Sequence, residues 1–301
     1  MGSTAADATP VRLCVINNIL HNEREIPAHQ AMLEGCAQGM LGPGTAVNIR
    51  GLRHAPLTSQ TAPDCYRDSF FQLLSTVQIV YAAMAAAREG FDAIVVNCFD
   101  DYGVEQARSV VDVPVIGIGS ASLFRAAALA PRMGLIVPNL PGQVEFAARQ
   151  IADLGLTHTL IDQGIRMDAL PFAEAWMQSL QDPALAVARF APLARALVED
   201  GAGCVVFGCG GFSLVCGAQR FTAVQANGRE WPVLIPVTVA LQEAESQVLA
   251  ARAGTVVTAR RPGSVLHGAA ELKQLLADFG MPPPGVMPRG RHRARLIPAQ
   301  T

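Results

Sequence analysis

The sequence predicts an α/β fold of two pseudo-symmetric lobes, each a parallel sheet flanked by helices, with the active site in the cleft between them. Three observations carry that expectation. Short apolar runs alternate with longer segments of helical periodicity. The order of these runs begins again near residue 131. Each copy contains an apolar run that ends on a cysteine and is followed by a glycine-containing turn: FDAIVVNCFDDYG, from Phe91 to Gly103, and AGCVVFGCGGFSL, from Ala202 to Leu214.

In chain order, VRLCVIN (11–17) reads as a buried strand. A helix over about Ile26 to Met40 follows, stopped by Gly42 and Gly44. TAVNIRG is a second strand, and FFQLLSTVQIVYAAMAAAREG is a helix closed by Gly90. DAIVVN and VPVIGIG are strands three and four. The second round opens with PRMGLIV, in which Arg132 and Ile136 answer Arg12 and Ile16. It continues with a helix over about Gly142 to Leu154, a longer irregular stretch, and a helix near Leu185 to Asp200. The strand GCVVFG and the strand WPVLIPV complete it, the latter repeating the Pro-Val-aliphatic start of VPVIGIG. Four landmarks in the same order indicate a duplicated unit. TVALQEAESQVLAARAG and GAAELKQLLADFG are further helices, and a symmetric exchange sends this last part of the chain back onto the first lobe. The expected division is therefore residues 1–119 with 234–301 as the first lobe and 120–233 as the second. The Pro- and Arg-rich tail from Met281 is expected to be extended or disordered.

Half of the 301 residues are apolar, only 16% are charged, and the formal net charge is −2, so neither nucleic acid nor an anionic membrane is an expected partner. No apolar run looks long enough for a membrane span, and the N-terminus lacks the pattern of a secretory signal. A cytoplasmic homo-oligomer acting on a small molecule is the expectation. The seven cysteines, Cys14, Cys36, Cys65, Cys98, Cys204, Cys209 and Cys216, are odd in number and irregularly spaced, which fits reduced thiols rather than a disulfide framework.

Ligands bind beyond the carboxyl ends of the strands in an open parallel sheet. Cys98 and Cys209 stand at those ends, and the turn after each is expected to lead into a helix N-terminus, where free backbone N–H groups favour thiolate and enolate. Two lobes facing each other would set the two sulfurs on opposite walls of one cleft. Such a pair can take a proton from one face of a planar carbanion and return it to the other. That chemistry requires no cofactor and no metal. Phe99, Asp100 and Asp101 in the first turn and Gly210 and Gly211 in the second are expected to touch the substrate, with the bare second turn allowing close approach of the backbone. Cys14, Cys36, Cys65, Cys204 and Cys216 are expected to fill space, and Cys209 and Cys216 do not fit a zinc spacing. Histidines 21, 29, 54, 158, 267 and 292 show no ligand pattern. Ser120 and Ser122 read as caps of the following helix, with substrate contact by Ser120 as the alternative. GIGSAS lacks the remaining features of a dinucleotide loop.

The two cysteine blocks, GFDAIVVNCFDDYGVEQARSVVDVPVIGIG and GAGCVVFGCGGFS, together with the opening CVINN, resemble the aspartate/glutamate/hydantoin racemase superfamily, in particular its hydantoin and allantoin racemase branch. The likeness runs from about Val11 to Leu275. It implies Cys98 and Cys209 as the acid/base pair, Asn17 as a pocket residue, and a 5-substituted hydantoin or relative as substrate. The chain departs from the family pattern with Asn18 where proline is usual, Asp100 for glycine, Tyr102 for proline, Ser120 for glutamate, Val137 for threonine and Ile235 for aspartate. The segment LIDQGIRMDALPFAEAWMQSLQDPAL is longer than expected and either caps the cleft or mediates contacts between copies. Alternatives that keep the fold are an aspartate/glutamate-type racemase, a decarboxylase or a cis–trans isomerase. A two-lobed binding protein without turnover is the alternative of a different class.

Overall fold

The structure is a computed structural model that describes residues 9–18, 25–52, 68–258, 269–279, 281 and 295–296. Cys65, His21, His54, His267, His292 and most of the tail lie outside these residues.

The first round of the chain runs β1 (Arg12–Asn17), α1 (Glu25–Ala37), β2 (Ala46–Arg50), α2 (Ser69–Arg88), β3 (Ala93–Asn97), α3 (Val104–Arg108), β4 (Val115–Gly117) and α4 (Ile118–Leu129). The second runs β5 (Met133–Asn139), α5 (Gln143–Asp153), β6 (Leu160–Pro171), α6 (Phe172–Gln181), α7 (Pro183–Glu199), β7 (Cys204–Phe207), α8 (Gly210–Ala218), β8 (Ala223–Ala226), β9 (Arg229–Leu234) and α9 (Pro236–Arg252). α10 (Ala269–Asp278) and the short β10 (Arg295–Leu296) complete the described chain.

Two five-stranded sheets result, ordered β10-β2-β1-β3-β4 and β6-β5-β7-β9-β8. Within them β2-β1-β3-β4 and β6-β5-β7-β9 are parallel and take their strands in the same order, so the repeated landmarks fall on equivalent strands. β10 and β8 are antiparallel edge additions. The central strands are largely apolar and buried because helices cover both faces; β3 is buried at all five positions, Asn97 included. α4 packs against β7 and α9, and α9 in turn crosses back over β3 and β4. Each sheet is thus covered in part by a helix that follows the last parallel strand of the other. Leu272 of α10 lies against the cluster built by β1, β3 and α2.

Three local expectations need correction. The stretch after α5 is not irregular: Leu160–Pro171 is the strand β6, pairing parallel with β5 in the place that β2 takes beside β1. VPVIGIG yields only three strand residues, because Ile118 already begins α4. One apolar helix does reach membrane-spanning length and composition: α2 has 20 residues. Its alanine-rich second half, Ile79 and Ala82–Ala86, is buried, against β1, β3 and α3, whereas Phe70, Leu73 and Leu74 in its first half are exposed.

Candidate active site

The register of the central strands brings two chain crossings to one point. Asn17 at the end of β1 pairs with Asn97 at the end of β3, so the next residues, Asn18 and Cys98, leave the sheet side by side. The Asn18 side chain donates from Nδ2 to the Cys98 sulfur over 3.2 Å. In the second sheet Met133 pairs with Cys204, as Leu13 pairs with Ala93 in the first. Continuing that register sets Pro138 beside Cys209, the counterpart of Asn18 beside Cys98. All four residues line a single partly open cavity. Phe99, Asp100, Tyr102, Leu140, Gln143, Phe172, Gly208, Gly210 and Gly211 complete its wall.

The two cysteine turns differ. Cys209 is the N-cap of α8, a nine-residue helix, so the leading N–H groups of α8 open beside its sulfur. Cys98 is not at a helix N-terminus. Five residues, Phe99 to Gly103, separate it from α3, and the chain reverses through left-handed conformations at Asp101 (φ 54°) and Gly103 (φ 74°). A side chain at Gly103 would run into Ile79 and the Thr76 carbonyl of α2. The turn is anchored from outside: Gln150 of α5 donates to the Phe99 carbonyl at 2.6 Å, and Asp101 accepts from the backbone N–H groups of Gly119 (2.9 Å) and Ser120 (2.7 Å).

Asp101 is thus turned away from the cavity and caps α4. Burial pushes its carboxyl up to about 6, against the hydrogen bonds from Ser120 and Gly119 and the charge of Arg108, which pull it down. Ser120 meets Asp101 and is not in the cavity wall; Ser122 does not cap either, since its hydroxyl donates back to the Ile118 and Gly119 carbonyls. Asn17 is buried one position behind the cavity and also lies outside its wall. Gly210 and Gly211 line the cavity, yet their bareness is required by the protein itself. A Cβ on Gly210 would stand 2.5 Å from the Asn97 carbonyl oxygen, and one on Gly211 would stand 2.9 Å from the Trp176 ring. Of the site residues expected from the sequence, Cys98, Phe99, Asp100, Cys209, Gly210 and Gly211 therefore come together; Asn17, Asp101 and Ser120 do not reach the cavity.

The other described cysteines are buried, as Cys98 itself is at 6% exposure, whereas Cys209 is half-buried. Burial pushes the thiol of Cys14 up to about 11, of Cys36 to about 12 and of Cys204 to about 11, and raises Cys216 further still. Among the described residues no group of three or more His, Cys, Asp or Glu is placed to hold a metal ion.

The Asp/Glu/Hydantoin racemase family model matches residues 26–244. The chain belongs to that family. A hydantoin racemase of Rhizobium meliloti is 34% identical over 163 residues, a stretch that spans 52% of this chain and 61% of that protein. A hydantoin racemase of Paenarthrobacter aurescens is 27% identical over 217 residues, covering 70% of this chain and 82% of its own length. An allantoin racemase from Klebsiella pneumoniae has the same fold, with a TM-score of 0.61 at 23% identity over 87% of this chain and 98% of its own.

Within this racemase fold, the wall residues that the sequence did not single out as contacts are Asn18, Tyr102, Pro138, Leu140, Gln143, Phe172 and Gly208. Asn18 and Tyr102 carried a signal, since both stand where the family pattern has proline. Pro138 was recoverable by extending the Arg12/Arg132 correspondence to the ends of the two strands. Phe172 and Gln143 begin α6 and α5, and no motif marks them.

Proposed function

We propose that the protein is a cofactor-independent racemase of a carbon acid beside a carbonyl, with a 5-substituted hydantoin or a near relative as substrate. The observation that carries this reading is the presence of Cys98 and Cys209 in the wall of one cavity, each at the carboxyl end of the equivalent strand of its sheet. One sulfur, as thiolate, takes the C5 proton; the electron pair left behind moves onto the adjacent carbonyl as an enolate. The other, as thiol, returns a proton to the opposite face of the same carbon. For the other enantiomer the roles exchange, and no net oxidation or group transfer occurs. Backbone N–H groups at the start of α8 are available to the enolate oxygen.

The character of the wall supports a neutral ring over a free amino acid. It carries Asp100 and, among the described residues, no Lys, Arg or His to meet an α-carboxylate. Its remaining large side chains, Phe99, Tyr102, Leu140 and Phe172, suit an apolar ring substituent. Incubation of the protein in D₂O with enantiopure 5-benzylhydantoin and, separately, with L-aspartate and L-glutamate tests the reading by NMR. Loss of the C5 proton with loss of optical activity is the expected result, with the amino acids unchanged. Exchange confined to the amino acids would replace the hydantoin by an Asp/Glu-type substrate, and no exchange in any of them would favour a binding protein.

A further inference from the structure

We propose that Asn18 is a positioning residue whose side-chain amide stabilises the thiolate form of Cys98, the part that the N-terminus of α8 plays for Cys209. This inference rests on the two-thiol reading above and deepens it. Its ground is the break in pseudo-symmetry at one position. The strand register sets residue 18 beside Cys98 and residue 138 beside Cys209, and both line the cavity. In the second lobe that position is Pro138, which has no side-chain donor. In the first it is Asn18, whose amide Nδ2 lies 3.2 Å from the Cys98 sulfur.

The need for such a donor follows from the unequal turns. Cys209 has the N-terminus of α8 directly beside it. Cys98 has no helix behind it, because the chain first reverses through Asp101 and Gly103 and the following helix is only five residues long. A sulfur that must carry negative charge in a largely apolar cavity wall requires some hydrogen-bond donor, since an unsolvated thiolate reverts to the thiol. The Asn18 amide, just past the end of β1, supplies one. A hydrogen bond to a charged acceptor is stronger than one to a neutral acceptor, so the same amide favours thiolate over thiol.

Few ionisable groups share the cavity wall with Cys98. Asp100 and Tyr102 come from its own turn and Cys209 from the facing one. Asp101 is turned into α4. The wall residues contributed from just past β1 and from α5 and α6, namely Asn18, Gln143 and Phe172, carry no charge. Asn18 therefore meets this sulfur as a neutral donor, and the charge of Asp100 opposes its effect.

The test is the pH dependence of alkylation by iodoacetamide, read separately for each cysteine by peptide mass spectrometry on the full-length protein, for wild type, Asn18→Ala and Asn18→Asp. The expected result is a rise in the Cys98 midpoint of about 0.5–1 pH unit in Asn18→Ala. A larger rise is expected in Asn18→Asp, which has nearly the same shape but sets an acceptor against the sulfur. Cys209 should keep its midpoint in both variants. A merely structural role for Asn18 would loosen the turn and speed Cys98 alkylation at every pH without moving the midpoint. An unmoved or lowered Cys98 midpoint overturns the proposal. So does failure of the reagent to reach Cys98 at any pH, since the sulfur would then not face the cavity. None of these readings depends on turnover: if the wild-type protein exchanges no hydantoin proton, the racemase reading fails while the Asn18 result still stands or falls alone.

Discussion

At the residue scale, six described cysteines share one chemistry and six different environments. Cys14, Cys36, Cys204 and Cys216 are sealed among apolar side chains, and the resulting high thiol pKa leaves almost no thiolate at neutral pH. Brief treatment with iodoacetamide at pH 7 should therefore modify Cys98 and Cys209 and leave those four intact, and a hydantoin should protect the modified pair; peptide mass spectrometry reads both effects. Unequal sulfurs also have a kinetic consequence. Racemisation has an equilibrium constant of one, so kcat/KM must be the same for the two enantiomers. Whichever cysteine is the resting thiolate, the enantiomer it deprotonates shows both the lower KM and the lower kcat, which initial rates by polarimetry can measure. Asp101 makes a separate prediction. Its folded-state pKa is raised above the usual carboxylate value, so the native state binds its proton more tightly than the unfolded chain does. The contribution to stability is fully present below about pH 4 and is lost as pH rises through about 6. Urea unfolding between pH 4 and 7 should show this decline in the wild type and a flatter profile in Asp101→Asn. The sequence placed Asp101 close to Cys98 but could not show its direction: only the left-handed turn at φ 54° sends the carboxylate into α4.

At the element scale, the cleft depends on close approaches between backbone segments of the two lobes. Asn97, at the end of β3, donates to the Gly210 carbonyl of α8 at 3.4 Å, and its own carbonyl oxygen fills the space a Gly210 side chain would take. A methyl group there has no room, so Gly210→Ala should push α8 away from β3. The expected cost is about 1–3 kcal/mol in stability, measured by chemical denaturation, with a larger proportional loss of kcat because the Cys209 sulfur moves with the helix. Phe172 and Trp176 of α6 stack and both meet Phe212 of α8 edge-on, with ring centroids 5.8–6.4 Å apart, so the long segment before α7 supports the floor of the cavity as well as part of its wall. Most elements were legible because their apolar runs are continuous and bounded by glycine. β6 was not: its burial is intermittent along twelve residues, which hides the strand period. The β8–β9 hairpin did carry a signal, Asn227-Gly228, both with positive φ, of the kind that closes two-residue hairpins. The Pro-Val pattern of WPVLIPV masked it by suggesting a lone strand.

At the scale of the whole molecule, duplication explains why the fold and the cysteine pair could be read while the cavity wall could not. Two copies of a strand order leave a strong trace in sequence, because each strand must keep its apolar run, and here the turn after the equivalent strand of each copy carries a cysteine. The wall is assembled from the ends of different strands and from the first residues of α5 and α6, and nothing local announces those positions. The same architecture sets the central claim, that one carbon is served from two sides by sulfurs of different lobes. The most direct measurement is NMR of the C5 proton of enantiopure 5-benzylhydantoin in D₂O, with wild type, Cys98→Ser and Cys209→Ser. The account predicts exchange with racemisation for wild type and a loss of racemisation of at least about a hundredfold in each variant. Any exchange that survives should be confined to one enantiomer, and to opposite enantiomers in the two variants. Racemisation at the wild-type rate by either single variant would contradict it.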